Sequence, residues 1–147
     1  MDIHLTHLLN LPDILVETCS YLENSVCFQI GYLAEGTSCP HCNNYTEELH
    51  QVRLILVKDL SAFGKDVYLK VPRRQFYCDQ CQRYSTERLE CIDFNRRHTR
   101  RYEMAVYNQV QHSSIEQVGR DEHISSDEVR GIFNHVAQRL KKNLGVR

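Results

Sequence analysis

Cys39-Pro40-His41-Cys42 and Cys78-Asp79-Gln80-Cys81 bracket the part of the chain from which the fold can be argued. Both units are Cys-x-x-Cys turns, which place two sulfurs on the same side of a tight loop. Two such knuckles facing each other complete a tetrahedral shell around zinc, with Zn–S distances of about 2.3 Å and no open position. A closed shell of this kind is structural, and the expectation is one zinc ion held by Cys39, Cys42, Cys78 and Cys81.

The residues between the knuckles predict the same geometry independently. His50-Gln51-Val52-Arg53-Leu54-Ile55-Leu56-Val57 is rich in β-formers, Ser61 to Lys65 contains Gly64, and Val67-Tyr68-Leu69-Lys70-Val71 alternates apolar with polar. Two strands and a turn form a hairpin, and a hairpin returns its ends to one place, as two knuckles sharing an ion require. A rubredoxin-like iron site would use the same four sulfurs. A thioredoxin-like redox pair fits less well, because no βαβ pattern surrounds either unit. His41 is expected to face solvent, and His50 lies on a strand beside an already complete ligand set. Cys19, Cys27 and Cys91 lack partners at ligand spacing and are expected to be buried thiols.

Downstream of the knuckles, Asp93-Phe94-Asn95-Arg96-Arg97-His98-Thr99-Arg100-Arg101 concentrates positive charge at the start of a predicted helix. Thr99 suits the N-cap, and Tyr102, Ala105, Val106 and Val110 follow at helical spacing. Arginines at a helix N-terminus oppose the dipole, a cost that a nearby phosphate backbone would offset. Next come a short helix around Ser113-Ser114-Ile115-Glu116-Gln117-Val118-Gly119-Arg120 and a turn at Asp121-Glu122-His123-Ile124. Ser125 then N-caps a longer helix with Glu128 three residues on, the spacing of a capping box. Val129, Ile132, Phe133, Val136, Ala137, Leu140 and Leu144 form its inward stripe. The pattern predicts a helix-turn-helix, with Val118, Gly119, Ile124, Val129 and Ile132 packing the two helices. His123 stands where many such turns carry glycine, and histidine tolerates positive φ at some cost. On the outward face of the second helix, Ser125, Ser126, Asp127, Arg130 and Asn134 are candidates for base edges, Arg130 suited to guanine and Asn134 to adenine.

Working outward, the 147 residues are 41% hydrophobic and 25% charged, near globular averages, which excludes a wholly disordered or collagen-like chain. No apolar run reaches eighteen residues, so no membrane span is expected. The start lacks the positive region of a signal peptide, and the odd cysteine count argues against a disulfide framework. A soluble, intracellular (cytoplasmic) chain is therefore expected. The net charge of −1 hides an asymmetry. Residues 1–50 hold seven acids and no Lys or Arg. All 18 basic residues thus face the remaining 12 acids, leaving +6 over 51–147. Binding follows local potential, so a polyanion partner remains open. In the first fifty residues, Leu5, Leu8, Leu9 and Leu11 suggest a short helix before Pro12. Ile14-Leu15-Val16 and Val26-Cys27-Phe28-Gln29-Ile30 suggest strands that extend the hairpin into a sheet. Asp59, Asp66 and Asp93 read as turn residues and surface charges. No glycine-rich phosphate loop, His-Glu-x-x-His or Gly-x-Ser-x-Gly occurs, and no catalytic residue is expected.

These residues together resemble the N-terminal portion of the ISL-three group of insertion-sequence transposases. The resemblance rests on Cys39-Pro40-His41-Cys42, Lys58-Asp59-Leu60, Gly64-Lys65-Asp66-Val67-Tyr68-Leu69 and Val71-Pro72-Arg73-Arg74-Gln75-Phe76-Tyr77-Cys78. Cys81-Gln82-Arg83, Glu87, Arg97, Thr99 and Ser114-Ile115-Glu116-Gln117-Val118 continue it, so that it runs from about residue 5 to the C-terminus. It implies a four-cysteine zinc domain, a helix-turn-helix and binding to the terminal inverted repeats of a mobile element. Full-length members continue into an RNase H-type catalytic domain; here the chain stops at Arg147, and a non-enzymatic protein is expected. Asn43 replaces a glycine common after the first knuckle. Gly119 replaces a frequent alanine, which is expected to loosen the helix.

The resulting expectation is an α+β protein. A zinc-ribbon-like β-hairpin domain with the N-terminal segment (1–92) precedes a small three-helix helix-turn-helix domain (93–147). Its partner is double-stranded DNA, with Arg73, Arg74, Arg96, Arg97, Arg100 and Arg101 holding phosphates and Ser125, Ser126, Arg130 and Asn134 reading bases. Self-association or a separately encoded catalytic chain is a further possible partner. The rival readings are a zinc-stabilised protein or RNA interaction module, a transcriptional regulator without a role in transposition, and a thiol redox sensor.

Overall fold

The computed structural model describes residues 1–145; Val146 and Arg147, the last two positions of the expected 93–147 unit, lie outside the described residues. The chain begins with α1 (Ile3–Leu9), capped by Asp2, whose carboxylate accepts from Leu5 N at 2.9 Å. Asn10, in the left-handed region at φ 50°, ends it. β1 (Ile14–Tyr21) and β2 (Ser25–Tyr32) follow as an antiparallel pair. A two-stranded ribbon, β3 (Thr37–Ser38) with β4 (Tyr45–Thr46), carries the first knuckle. β5 (Leu49–Ala62) and β6 (Lys65–Cys78) form the predicted hairpin, longer at both ends than the apolar runs suggested. Its two-residue turn puts Phe63 and Gly64 at φ 54° and 76°, the left-handed pair that matches the twist of the flanking strands. β7 (Arg83–Thr86) returns from the second knuckle to pair with β6.

The sheet order is β1-β2-β6-β5, with β2 parallel to β6 and β7 continuing along the Cys78 end of β6. Alternation directs Ile14, Val16, Ile30, Ile55, Val57, Val67, Leu69 and Val71 to one face. Leu5, Leu9, Leu11, Leu89, Cys91 and Ile92 cover it.

Three helices complete the chain: α2 (Arg100–Val110), α3 (Ile115–Glu122) and α4 (Ser126–Asn143). Each starts at a hydroxyl cap: Thr99 Oγ1 accepts from Tyr102 N, Ser114 Oγ from Gln117 N and Ser125 Oγ from Glu128 N, all at 3.1–3.2 Å. Such caps contribute about 1 kcal/mol each. Their shared core is Tyr102, Val106, Val118, Val129, Ile132 and Val136, with Met104, Tyr107, Ile115, Ile124 and Leu140 at its margin. No described helix is long and apolar enough to cross a membrane.

The two hydrophobic clusters are joined by polar contacts. Lys58 N donates to Arg97 O and Thr99 N donates to Lys58 O, both at 3.0 Å, so residues 97–99 lie against the β5 edge. Lys58 Nζ donates to the Glu122 carbonyl at the end of α3. Asp59 is 1% exposed and accepts from Thr99 Oγ1 at 2.7 Å and from Arg101 Nε and Nη2 at 2.9 and 2.5 Å. Asp66 meets His123 Nδ1 at 2.8 Å. Asp93 takes Arg100, His135 and Arg139 at 2.7–2.8 Å.

These contacts correct the reading of Asp59, Asp66 and Asp93 as turn and surface charges: each is held by polar side chains of the helical part. They also answer the dipole problem at α2. Asp59, Asp93 and Glu103 neutralise the arginines around its first turn, so the helix start is compensated within the protein.

Candidate metal centre and nucleic-acid interface

The metal centre follows from the hairpin. β5 begins just after the first knuckle and β6 ends in Cys78, so the open end of the hairpin brings the two knuckles together. Cys39 Sγ lies 3.4 Å from Cys81 Sγ, and Cys42 Sγ lies 3.4 Å from Cys78 Sγ. All four sulfurs fall within 4.8 Å of one another. A tetrahedron with zinc–sulfur bonds of about 2.3 Å has edges of about 3.8 Å, so the donor set fits one zinc with little adjustment.

Both knuckles turn in the same way. The residue after each second cysteine, Asn43 at φ 64° and Gln82 at φ 54°, is left-handed. Asparagine thus takes the conformation expected of the glycine it replaces. In the first knuckle, Asn43 N donates to Cys39 O and Cys39 N to Asn44 O, both at 2.8 Å. The amides of Cys42 and His41 point at the Cys39 sulfur and hold its thiol down at about 6, a thiolate ready for a metal. Cys81 is pushed up to about 12 by burial and by the neighbouring sulfurs, a crowding that a divalent cation relieves.

His41 is exposed, its Nδ1 3.2 Å from Arg83 Nη1, and His50 packs its ring 4.5 Å from that of Tyr84. Neither belongs to the four-sulfur cluster. Among the remaining thiols, Cys91 is buried as expected, and its pKa is pushed up to about 11 by that burial. Cys19 and Cys27 are only half-buried, a correction that follows from their places on β1 and β2.

A second convergence of possible ligands, Asp93, Glu103 and His135, lies beside α2 and α4. Arg96, Arg100 and Arg139 already bind its two carboxylates at 2.8 Å, so this is an ion-pair junction in which cationic side chains fill the place of a metal.

The helix-turn-helix is built as its pattern predicts. His123 sits at φ 59° between α3 and α4, and its amide and that of Ile124 close the turn onto the Gly119 carbonyl. A β-carbon at Gly119 would stand 2.9 Å from the Ile124 carbonyl oxygen. Glycine here permits a close approach of backbone, which replaces the expectation that it loosens the helix. Half of the expected capping box forms. Ser125 caps Glu128 N, but the Glu128 carboxylate instead meets His98 Nε2 at 2.7 Å.

A family profile described as the zinc-finger of transposase IS204/IS1001/IS1096/IS1165 matches residues 35–81. A second, described as the helix-turn-helix domain of transposase family ISL3, matches residues 87–137. The chain carries the zinc-ribbon and helix-turn-helix region of ISL3-type transposases. It is 33% identical over 82 residues to the transposase for insertion sequence element IS1001 of Bordetella parapertussis, a match covering 56% of this chain and 20% of that protein. No solved structure matches. The ISL3 zinc ribbon accounts for the four-cysteine cluster as one structural zinc site, and α2, α3 and most of α4 fall within the matched ISL3 helix-turn-helix domain.

The residues expected to contact DNA are differently disposed. Arg130 and Asn134 are exposed on α4, Ser126 is half-buried, and Ser125 is exposed with its hydroxyl engaged in the cap. Arg130 holds Asp127 at 3.0 Å in an exposed pair, which contributes little and opens readily to a ligand. Of the six candidate phosphate contacts, Arg74 forms a bidentate pair with Glu87 at 2.6 and 2.9 Å and packs over Tyr32. Arg96 pairs with the fully buried Glu103, Arg101 with Asp59 and Arg100 with Asp93. Arg73 and Arg97 make no ion pair among the described residues.

The sequence reading missed Lys58, His98, Glu103 and Glu128 as parts of the junction. A signal existed for Asp59: it follows Ile55 and Val57 at period two, which directs it to the inward face of β5.

Proposed function

We propose that this chain binds duplex DNA sequence-specifically, recognising the terminal inverted repeats of an insertion sequence. Zinc keeps the β-sheet folded, and α4 reads bases with Arg130 and Asn134 in the major groove, Ser125 and Ser126 near the groove edge. Phosphate contacts are assigned to the arginines whose charge is least committed internally: Arg73, Arg97 and the half-exposed Arg100. Arg74, Arg96 and Arg101 serve the fold first.

The observation that carries the reading is the α3–turn–α4 unit: a left-handed turn at His123, a Ser125-capped α4, and Arg130 and Asn134 exposed beyond it. We assign these residues a binding role and no strand chemistry. The buried carboxylates Asp59 and Glu103 face arginines, an environment suited to ion pairing and unlike a pair of divalent ions. A catalytic function would then belong to another domain or chain, and pairing with such a chain or self-association is part of the proposal. A cytoplasmic location follows from DNA as the partner.

The test is a mobility-shift titration on the inverted repeats flanking the gene, with scrambled duplex as competitor and two salt concentrations. Preferred, salt-sensitive binding that falls about 10- to 100-fold in Arg130→Ala, with discrimination lost, is expected. Equal affinity for scrambled duplex would refute sequence recognition.

A further inference from the structure

Most of the arginines in the second half of the chain are answered by an acid of the same protein. Glu87 holds Arg74, Glu103 holds Arg96, Asp93 holds Arg100 and Arg139, and Asp59 holds Arg101. Arg53, Arg73, Arg83, Arg88, Arg97 and Arg120 have no ion pair among the described residues, but Arg83 meets His41, Arg88 stacks on Phe94 and Arg120 bonds Gln117, which sets Arg53, Arg73 and Arg97 apart. They are also close together. Arg53 and Arg73 are cross-strand partners on β5 and β6, where side chains directly opposite approach within about 5 Å and like charges destabilise the sheet. Arg97 is tied to the same strand through its carbonyl, which accepts from Lys58 N at 3.0 Å. The charge of Arg73 is disfavoured by partial burial and then by Arg53 and Arg97, so the three feel one another. A chain with 19 acids has not placed one against them.

The cluster also has a definite relation to the helix-turn-helix. His98, the neighbour of Arg97, hydrogen-bonds Glu128 in the first turn of α4 at 2.7 Å. Residues 97–99 thus bridge the β5 edge to the start of α4, and the uncompensated charge continues from that bridge onto the sheet.

We infer that Arg53, Arg73 and Arg97 form a phosphate clamp on the zinc-stapled sheet, gripping duplex backbone outside the segment read by α4. The inference rests on the DNA-binding reading and adds to it that the β-sheet itself touches DNA, with Arg53 as a contact residue. Repulsion tolerated in the free protein is relieved when phosphates enter between the guanidiniums.

The experiment compares the zinc-loaded full chain with Arg53→Gln, Arg73→Gln, Arg97→Gln and their triple combination, on the inverted-repeat duplex over a salt series, with hydroxyl-radical footprinting. Each lost contact should flatten the log-affinity against log-salt slope by about 0.9, the triple variant by about 2.7, while preference over scrambled duplex stays as in the wild type. Backbone protection outside the α4 footprint should disappear. The urea midpoint of Arg73→Gln should hold or rise, because a repulsion has been removed; a structural role would lower it. Specific wild-type binding with an unchanged slope and footprint in the triple variant would overturn the clamp and leave the helix-turn-helix reading intact. Wild-type protein with no salt-sensitive duplex affinity would overturn both. Single-stranded RNA competing as well as duplex would assign the cluster to a different polyanion and overturn the clamp.

Discussion

Replacing Asp59 by asparagine tests whether the zinc-stapled sheet and the helical part fold as one unit. Asp59 is 1% exposed and receives the Thr99 hydroxyl and two nitrogens of Arg101. Asparagine keeps an acceptor for Thr99 but turns an N–H2 group or an uncharged oxygen toward the guanidinium. The loss is therefore the bidentate charge pair. Removing one partner of a buried pair costs about 3–5 kcal/mol. Arg101 lowers that figure, since its side chain is 34% exposed and retains its 2.8 Å bond to the Leu9 carbonyl. About 2–3 kcal/mol of stability should be lost, a fall in Tm of roughly 5–10 °C for a chain of this size. Urea unfolding of the zinc-saturated protein, followed by circular dichroism, reads the change directly. Asp59→Asn combined with Arg101→Gln should cost less than the sum of the single changes, by about 1 kcal/mol or more. In the variant, the two hydrophobic clusters should separate into two unfolding transitions. A change below about 0.5 kcal/mol, or strict additivity in the cycle, would refute the role given to this pair.

Three further outcomes follow from the same geometry. One zinc per chain is expected by elemental analysis, and chelation or Cys81→Ser should unravel the open end of the β5–β6 hairpin, seen as lost β signal and rapid amide exchange at Leu49–Val52 and Phe76–Cys78. Gly119→Ala gains about 1 kcal/mol of helix propensity but drives a β-carbon to 2.9 Å from a backbone oxygen, so a net loss of about 1–2 kcal/mol in urea is expected, with weakened DNA discrimination. Asp93 is raised by burial, but hydrogen bonds from His135 and Arg139 and the charge of Arg100 hold it below the ordinary carboxylate range. Its stabilising contribution is complete above the unfolded value of about 3.9 and is lost as pH falls through the lower folded value. Asp93→Asn should therefore flatten the acid limb of a stability–pH curve below about pH 4.

The elements with local signatures were legible in the sequence. The Cys-x-x-Cys spacing, the alternation of Val67 to Val71, the caps Thr99 and Ser125 and the stripe Val129–Ile132–Val136 each state a geometry within a few residues, and each is present. The β1-β2-β6-β5 order was not legible, because the parallel pairing of β2 with β6 depends on a crossover through the zinc ribbon and leaves no mark in either strand. The junction was hidden for a related reason. Asp59, Asp66 and Asp93 look like solvated acids until Arg101, His123 and Arg139, 42 to 57 positions away, are brought against them.

The same reasoning applies to the charge run at the start of α2. Counting arginines between Arg96 and Arg101 pointed to the start of α2, yet three of the four there hold Glu103, Asp93 and Asp59. An arginine in such a pair adds no uncompensated charge to the surface, and breaking the pair to reach a phosphate would restore the desolvation cost of a buried carboxylate. The arginines able to gain most from a polyanion are those that the fold leaves repelling one another. Arg53 stands outside the run altogether, on a strand chosen for its apolar alternation, and only the register opposite Arg73 brings it into the cluster. The sheet therefore has two roles. Its inner face supplies the core that zinc fastens, and on the proposed reading the end carrying Arg53 and Arg73 adds a patch of uncompensated charge beside Arg97.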